Sequence, residues 1–328
     1  MAGPSSGHGQ PNGLQVPCLT DPDHDHVGEH LRDDRFFWLD VEDPTEGQID
    51  RLGTRFHLHP LTVEDLRTFH QRPKLEEYDG YFSLVVYGVD PTSPSGESLL
   101  REVHVIISGR FIVTLHHGPF PELKAVRERD LSHRVRSEQF LVYRILDAAT
   151  GTFFPRLSRI DDDIDEIEDH VIASPDERSL QRIFALKRDL VAMRRVVTPL
   201  RDLFARDADR IAELPGLQSD DRLYFRDLYD GLIRVADLVD SYRDLLSGAT
   251  DLYLSTVANR QGEINKQLTV IATIFLPLTF LTGFFGQNFS FLTGHVTNTT
   301  WSFIVFGLGF LVVSVIGFWI FFRRKRWI

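Results

Sequence analysis

The chain has 328 residues, with 36 Lys and Arg against 47 Asp and Glu, a formal net charge of −11 and a single cysteine. One cysteine excludes a disulfide framework and a zinc site of four cysteines, and the acidic excess argues against nucleic-acid binding. With 42% hydrophobic and 25% charged residues, the composition is that of a folded protein and excludes wholesale disorder. The length allows about two domains.

The first 120 residues predict a tail followed by a mixed domain. Residues 1–29 are rich in Gly, Pro, Ser, His and Asp and predict a disordered N-terminal tail. Residues 30–120 predict an α/β cytoplasmic domain, because β-branched and aromatic runs alternate there with helical patterns. The expected strands are Phe36–Val41, Tyr81–Val89, Val103–Ser108 and Phe111–Leu115, and the expected short helices are Glu46–Phe56 and Pro60–Arg67.

The pattern becomes helical after Pro121, and residues 121–263 predict a helical stalk domain. No proline occurs between Pro215 and Pro277, so we expect one helix from about Asp220 into the first membrane span. Apolar residues in its first half step by four and three, the heptad spacing of packed helices. They are Leu228, Leu232, Val235, Val239, Tyr242, Leu246, Ala249 and Tyr253. We expect most of this seam to pack against the chain's own earlier helices.

The C-terminal part predicts a membrane module. No Asp, Glu, Lys or Arg occurs between Lys266 and Arg323, enough for two helical crossings at roughly 20 residues each. We predict transmembrane helix 1 at 264–285, an extracytoplasmic loop at 286–300 and transmembrane helix 2 at 301–322. The basic residues within 323–328 mark a cytoplasmic C-terminus by the positive-inside rule. The N-terminal domain then lies on the same side, as in a multi-pass protein of the cytoplasmic membrane.

One face of the first span is smaller and more polar than the rest of the helix. Its residues, again spaced by four and three, are Asp251, Ser255, Ala258, Gly262, Asn265, Thr269, Ala272, Leu276, Thr279 and Gly283. Small residues on one face favour close helix packing in lipid, whereas recurring polar residues can line water. Because one helix cannot enclose a pore, a channel requires an oligomer with copies of this face around an axis.

The end of the first span carries the most specific motif, PLTFLTGFFGQNF at Pro277–Phe289. Further motifs are YFRD at Tyr224–Asp227, DLYLS at Asp251–Ser255, HQRPK at His70–Lys74 and a final basic run ending in Trp327. From about residue 30 to the end, the chain resembles the CorA family of divalent-cation transporters. The resemblance implies a homopentamer with an α/β cytoplasmic domain, a funnel of long stalk helices and a pore lined by the first span.

The resemblance places a selectivity motif at Gly286, Gln287 and Asn288, where Gln287 replaces the methionine of the family's Gly-Met-Asn. Amide and carbonyl oxygens there can hydrogen-bond the waters of Mg²⁺, an ion that dehydrates reluctantly. We expect polar rings at Thr279 and Asn265, and leucine rings that can block ions by dewetting. The pore-lining residues are predicted to be Asp251, Asn265, Leu268, Thr269, Leu276, Thr279 and Gly283.

A cytoplasmic regulatory metal site is also implied by the resemblance. Asp227 stands where the family has an aspartate of that site, and Asp230 lies one turn further along the helix. Asp90 is the candidate for a facing carboxylate from the α/β domain. Bound metal would bridge neighbouring subunits and hold the pore shut. The competing interpretation is that these aspartates are surface charges.

The predicted function is passive, channel-like transport of divalent metal ions, Mg²⁺ first and Co²⁺ second, gated by cytoplasmic metal. No P-loop, GxSxG, HExxH or dinucleotide-binding motif occurs, so we expect no enzyme activity and no resident cofactor. Mg²⁺ is the expected substrate and regulatory ligand, and the partners are metal ions, the lipid bilayer and further copies of the chain. The alternatives are a zinc transporter of the same superfamily and a non-conducting, membrane-anchored metal sensor or scaffold. The sequence leaves the choice among Mg²⁺, Co²⁺, Ni²⁺ and Zn²⁺ open.

Overall fold

The computed structural model describes residues 15–90, 99–130, 135–212, 222–287, 290, 294–295, 299–325 and 327. The chain divides into two compact units, Met1–Thr250 and Asp251–Ile328. The first unit contains a sheet with its surrounding helices, and most of the described residues of the second unit are helical. A single long helix begins in the first unit and continues into the second.

The first unit is built on a six-stranded mixed sheet in the order β1-β2-β6-β5-β4-β3. The strands are β1 (Cys18–Leu19), β2 (Phe37–Glu42), β3 (Lys74–Tyr78), β4 (Tyr81–Val89), β5 (Leu100–Ile107) and β6 (Phe111–His116). β2 pairs in parallel with β1 and β6, and the remaining neighbours are antiparallel. All nine residues of β4 are buried, which explains its aromatic and β-branched composition.

The predicted N-terminal tail is wrong for residues 15–29. Cys18 and Leu19 form β1 beside β2, and helix α1 spans Asp25–Arg32. Val27 of α1 is completely buried in the core of the unit, and Val16 is almost completely buried. The segment contains few apolar residues, but the burial of these two valines anchors it to the first unit. Residues 1–14 of the predicted tail lie outside the described part of the chain.

Two short helices follow β2, and their starts are encoded locally. Helix α2 (Glu46–Arg55) begins with a capping box, in which the Thr45 and Gln48 side chains each accept from the other's backbone N–H. Helix α3 (Pro60–Thr68) begins with proline, whose missing N–H costs nothing in the first turn. Leu52 and Leu66 from these helices are buried in one core with residues of β2 and β6.

The remaining helices of the first unit are α4 (Pro121–Asp130), α5 (Glu138–Gly151), α6 (Phe153–Ala173) and α7 (Glu177–Ala212). Gly88 of β4 allows the α5–α6 junction to approach the sheet. A Cβ atom there would lie 2.8 Å from the Ala149 carbonyl oxygen. The Thr152 hydroxyl oxygen accepts a 2.7 Å hydrogen bond from the Val89 N–H at the same place. The α5–α6 junction is therefore held against the sheet by a hydrogen bond between the backbone of β4 and the Thr152 side chain.

Helix α8 spans Arg222–Phe285, and its first half is buried along the predicted seam. Leu228, Leu232, Val235, Val239, Tyr242, Leu246 and Ala249 are all buried. Contacts reach the three preceding helices: the Tyr143 and Tyr224 rings lie 5.0 Å apart, and Arg234 lies over the Phe154 ring. The Lys187 ammonium donates to the Thr250 hydroxyl at 3.2 Å. The prediction that this seam packs within the chain is confirmed.

The second unit contains the end of α8, a short helix α9 (Thr300–Ser302), a π-helical stretch (Phe303–Gly309) and helix α10 (Phe310–Arg324). Among the described residues, one helix is long and apolar enough to cross a membrane, at Arg222–Phe284, with a segment of mean hydropathy 1.7. The predicted second span is helical without a break over Thr300–Arg324, with the π-helical stretch joining α9 to α10.

Candidate ion path and cytoplasmic carboxylates

The predicted pore-lining residues all lie on α8 within the second unit. Each of them is solvent-exposed in the single chain: Asp251, Asn265, Leu268, Thr269, Leu276, Thr279 and Gly283. Apolar neighbours on other faces, such as Phe275 and Phe280, are exposed as well. The second half of α8 therefore has a large exposed surface that lacks its covering within this chain, although Val270 in the same half is buried.

Two threonine hydroxyls on this face act as hydrogen-bond donors to carbonyl oxygens of α8 itself. The Thr269 hydroxyl donates to the Asn265 carbonyl oxygen at 2.8 Å, and the Thr279 hydroxyl donates to the Phe275 carbonyl oxygen at 2.8 Å. Because each hydroxyl hydrogen is used by the helix itself, the lone pairs of the oxygen remain as acceptors. Such oxygens suit the water molecules around a cation, which present their hydrogens outward.

The predicted selectivity motif begins where α8 ends. The Gly286 N–H donates to the Thr282 carbonyl oxygen at 2.9 Å, and the Gln287 N–H donates to the Phe284 carbonyl oxygen at 3.3 Å. A Cβ atom on residue 286 would lie 3.0 Å from the same Thr282 oxygen, so glycine fits this helix end best. Gly286 and Gln287 are exposed, and Asn288 lies outside the described residues.

Asp227 lies in a cluster on the outside of the first unit. Its carboxylate accepts a 3.4 Å hydrogen bond from the Tyr143 hydroxyl of α5. Asp147 lies one turn after Tyr143, and burial, together with the charge of Asp227, raises its pKa above the ordinary value. Burial first, and then the charges of Asp147 and Asp227, raise the pKa of Tyr143 to about 12. The cluster therefore contains two carboxylates, one hydroxyl and the guanidinium group of Arg144, which forms a 3.5 Å ion pair with Asp147 and partly offsets the charge of Asp227.

Asp147 is not among the site residues that the sequence predicts. The signal was present, because Asp147 follows the apolar run FLVYRIL of α5, a helix whose neighbouring positions are buried. A carboxylate close to a buried face is desolvated, and desolvation disfavours its charged form. Recognising that it meets Asp227 required the packing of α5 against α8, which periodicity alone does not give.

Asp230 lies three residues after Asp227 on α8, and Asp90 directly follows β4. Asp230 is exposed on α8. Asp90 forms an ion pair with Arg101, and both side chains are mostly buried. Within the part of the chain that the structure describes, no three His, Cys, Asp or Glu side chains are grouped to hold a metal ion. A metal at Asp227 would thus need oxygens beyond the two carboxylates of one chain.

The fold defines the class of protein. An α/β domain is followed by a long helix that carries Asp227 of the carboxylate cluster, and the later part of the same helix is apolar enough to cross a membrane. The chain matches the model of the CorA-like Mg²⁺ transporter proteins over residues 33–324 and belongs to that family. CorA-family transporters are membrane proteins, in agreement with the long apolar helix.

Individual relatives agree with the family. The cobalt/magnesium transport protein CorA of Thermotoga maritima is 33% identical over 85% of this chain and 80% of its own length. The structure of the CorA magnesium transporter from Methanocaldococcus jannaschii superimposes with a TM-score of 0.73 at 24% identity, covering 89% of this chain and 91% of that one. The zinc transport protein ZntB of Yersinia enterocolitica is 25% identical over 78% of this chain and 77% of its own length.

Proposed function

We propose that this protein forms a passive, channel-like path for Mg²⁺ and Co²⁺ across the cytoplasmic membrane. The observation that carries the proposal is the exposed polar face of α8, with the acceptor oxygens of Thr269 and Thr279 in a segment apolar enough to span a bilayer. An anchor needs only apolar residues, so this face favours conduction over a non-conducting sensor or scaffold.

Five copies of the chain would surround the path, as a homopentamer. The exposed apolar side chains of the second unit support assembly, because they need lipid or other copies as their covering. In this arrangement Leu268 and Leu276 form apolar constrictions, and Asn265 and Thr279 form polar rings. Asp251 attracts cations towards the cytoplasmic end, and Gly283 allows close approach of the helices.

The outer mouth would consist of Gly286, Gln287 and Asn288 from every copy. Their uncharged oxygens bind the hydration shell of Mg²⁺ without removing it. Transport needs no nucleotide, because a divalent ion gains about 4.6 kcal/mol per 100 mV on entering a negative interior. Two membrane spans place both termini in the cytoplasm, in agreement with the basic residues Arg323 and Arg324 at the end of α10.

Cytoplasmic Mg²⁺ would act as regulatory ligand at Asp227, together with Asp147 and the Tyr143 hydroxyl. Asp230 and Asp90 are the candidates for oxygens from a neighbouring copy, and Asp90 would have to share its carboxylate with Arg101. Metal binding would relieve the repulsion between Asp147 and Asp227, which stabilises the state that holds the metal. If that state is closed, falling Mg²⁺ opens the path.

Zinc transport is the less favoured alternative, because the zinc-transporting relative is less similar than the cobalt/magnesium relative. The direct test is ion uptake by the purified protein in vesicles under a set potential, comparing Mg²⁺, Co²⁺, Ni²⁺ and Zn²⁺. We expect uptake of Mg²⁺ and Co²⁺. A vesicle preparation with correctly inserted protein and no uptake of any divalent ion would favour the anchored sensor.

Asn288→Ala tests the outer mouth in the same vesicles. We expect it to remove most Mg²⁺ uptake without changing assembly, because it deletes the amide ring. Asn298→Ala is the matched control, since it removes an identical side chain from the same predicted loop. Normal uptake by Asn288→Ala would contradict the assignment of the selectivity motif, whereas equal losses in both variants would indicate a general defect of the loop.

A further inference from the structure

A groove of about 400 Å³ lies in the second unit, between the end of α8 and α10. We refer to it as the α8–α10 groove. Its walls are apolar side chains and one threonine, whose hydroxyl donates to the Leu278 carbonyl oxygen of its own helix at 3.0 Å. An occupant of this groove therefore finds apolar surface and must itself be apolar. The lining residues are Leu278, Thr282, Leu311, Val312, Val315 and Ile316.

The α10 side of the groove continues towards the C-terminus into an aromatic and a basic residue. The members of this row are spaced by four, three and four residues, which keeps them on one side of the helix: Val312, Ile316, Trp319 and Arg323. The guanidinium carbon of Arg323 lies 5.0 Å from the centre of the Trp319 ring. At 1.5 Å per residue, Arg323 lies about 16 Å along α10 from Val312. This distance is close to half of a bilayer's hydrocarbon core of about 30 Å.

Three exposed basic residues end α10, and we refer to Arg323, Arg324 and Lys325 as the basic cluster. Within the part of the chain that the structure describes, no carboxylate pairs with these side chains. The sequence contains no Asp or Glu after Glu263. The same segment of another copy would therefore add like charge and could not neutralise the basic cluster. An anion from outside the protein is needed instead.

The end of the chain is fixed against α10, so the basic cluster has a defined position. The Trp327 N–H donates to the Phe322 carbonyl oxygen at 2.9 Å, and the two rings stack with their centres 5.9 Å apart. The Lys325 N–H donates to the Phe321 carbonyl oxygen at 3.1 Å. Tryptophan side chains favour the interface between membrane and water. Trp319 and Trp327 therefore support a position of the basic cluster at the level of the lipid headgroups.

We propose that the basic cluster and the α8–α10 groove together bind one anionic phospholipid. The phosphate of the lipid contacts Arg323, whose guanidinium group can lie over the Trp319 ring and still donate from its N–H edges. An acyl chain follows the same side of α10 and packs against Ile316 and Val312 in the groove. The inference rests on the proposed second membrane span, but it does not require that the protein conducts ions.

Quenching of tryptophan fluorescence by brominated lipids tests this inference on the full-length protein in phosphatidylcholine vesicles. Brominated phosphatidylglycerol and brominated phosphatidylcholine are compared at the same mole fraction, and the ratio of their quenching measures the preference for the anionic headgroup. We expect phosphatidylglycerol to quench more strongly. Arg323→Gln should lower the preference about fivefold, which is the contribution of one basic side chain near an anionic membrane surface.

Arg260→Gln is the matched control for charge, because Arg260 is an exposed arginine earlier on α8 that does not line the groove. Val315→Phe tests the acyl chain, since the larger side chain fills part of the groove and should reduce quenching by phosphatidylglycerol. Val313→Phe is its control: Val313 retains 68% of its surface and does not line the groove.

Equal quenching by the two lipids in the unmodified protein would overturn the headgroup site, as would an equal loss of preference in Arg323→Gln and Arg260→Gln. Equal effects of the two phenylalanine variants would overturn the groove as the position of the acyl chain. Release of the lipid by soluble glycerol phosphate would identify a site for free phosphate and overturn the lipid. Because ion flux is not measured, a protein that conducts nothing can still pass every part of this test.

Discussion

The two halves of α8 differ in how far their apolar side chains are buried within the chain. Before Thr250, its apolar seam is buried, and Leu246 has no exposed surface. After Asp251, many apolar side chains are exposed, although Val270 is buried, and Leu276 retains 73% of its surface. Both halves follow the same spacing of four and three residues. The periodicity therefore identifies faces, while the covering of each face depends on what lies outside the helix.

The two halves of α8 also differ in whether their apolar side chains contribute to stability or to transport. In the first half, apolar side chains stabilise the fold because they leave water when the chain folds. In the second half, exposed apolar side chains contribute little to the stability of the single chain, and their effect must arise from lipid or from other copies. Equivalent substitutions should consequently lower the stability of the chain in the first half and change transport in the second half.

The largest effect on stability is expected from Leu246→Ala in the buried half. Removing a fully buried leucine leaves a cavity and costs about 2–5 kcal/mol of unfolding free energy. Leu276→Ala is the matched substitution in the exposed half, where we expect no comparable loss. Thermal unfolding of the detergent-solubilised protein, followed by circular dichroism, measures both. Equal losses in the two variants would show that the second half of α8 is as tightly packed as the first.

Leu276→Ala should instead change conduction. If Leu276 forms an apolar constriction, a smaller side chain permits wetting and raises the leak at high internal Mg²⁺. Vesicle uptake with Mg²⁺ on both sides measures this leak. Phe275→Ala is the control, because it shortens an exposed apolar side chain on another face of α8. A leak that rises equally in both variants would contradict the assignment of the pore-lining face.

Asp227→Ala tests the link between the two halves, because Asp227 lies on the same helix as Leu276. We expect the variant to conduct at internal Mg²⁺ concentrations that silence the unmodified protein, since the regulatory site has lost a ligand. Asp237→Ala is the control, removing an exposed carboxylate of the same helix. Superimposable inhibition curves for Asp227→Ala and the unmodified protein would identify Asp227 as a surface charge.

The buried seam, the four strands β2, β4, β5 and β6 and the long helix were predictable, because each is encoded by the spacing of apolar residues, whereas β3 with its sequence KLEEY was not predicted. The N-terminal strand and helix were not, since the few residues that anchor them, Val16 and Val27, are diluted among polar ones. The electrostatic effect of Asp227 on Asp147 and the ion pair of Asp90 with Arg101 were also not predictable. They depend on which elements pack together, and no local pattern contains that information.

The smallest effect is expected from Asp147→Asn, a change that keeps the shape of the side chain and removes its charge. Burial and the charge of Asp227 raise the folded-state pKa of Asp147 above its ordinary value of 3.8. The folded state then holds its proton more tightly than the unfolded state, so stability is lost as the pH rises from 3.8 through the folded-state pKa. Above that window the unmodified protein carries the full penalty.

Asp147→Asn should therefore raise the melting temperature at pH 7 and have no such effect below the ordinary pKa, where Asp147 is protonated in both states. The gain is small, because the Asp147 side chain retains 41% of its exposure and solvent screens its charge. Mg²⁺ should stabilise the unmodified protein more than the variant, since the metal offsets the repulsion between Asp147 and Asp227. Equal stabilisation of both proteins by Mg²⁺ would place the regulatory metal away from Asp147. A lower melting temperature of the variant at pH 7 would show that the ion pair of Asp147 with Arg144 outweighs the burial of Asp147 and its repulsion by Asp227.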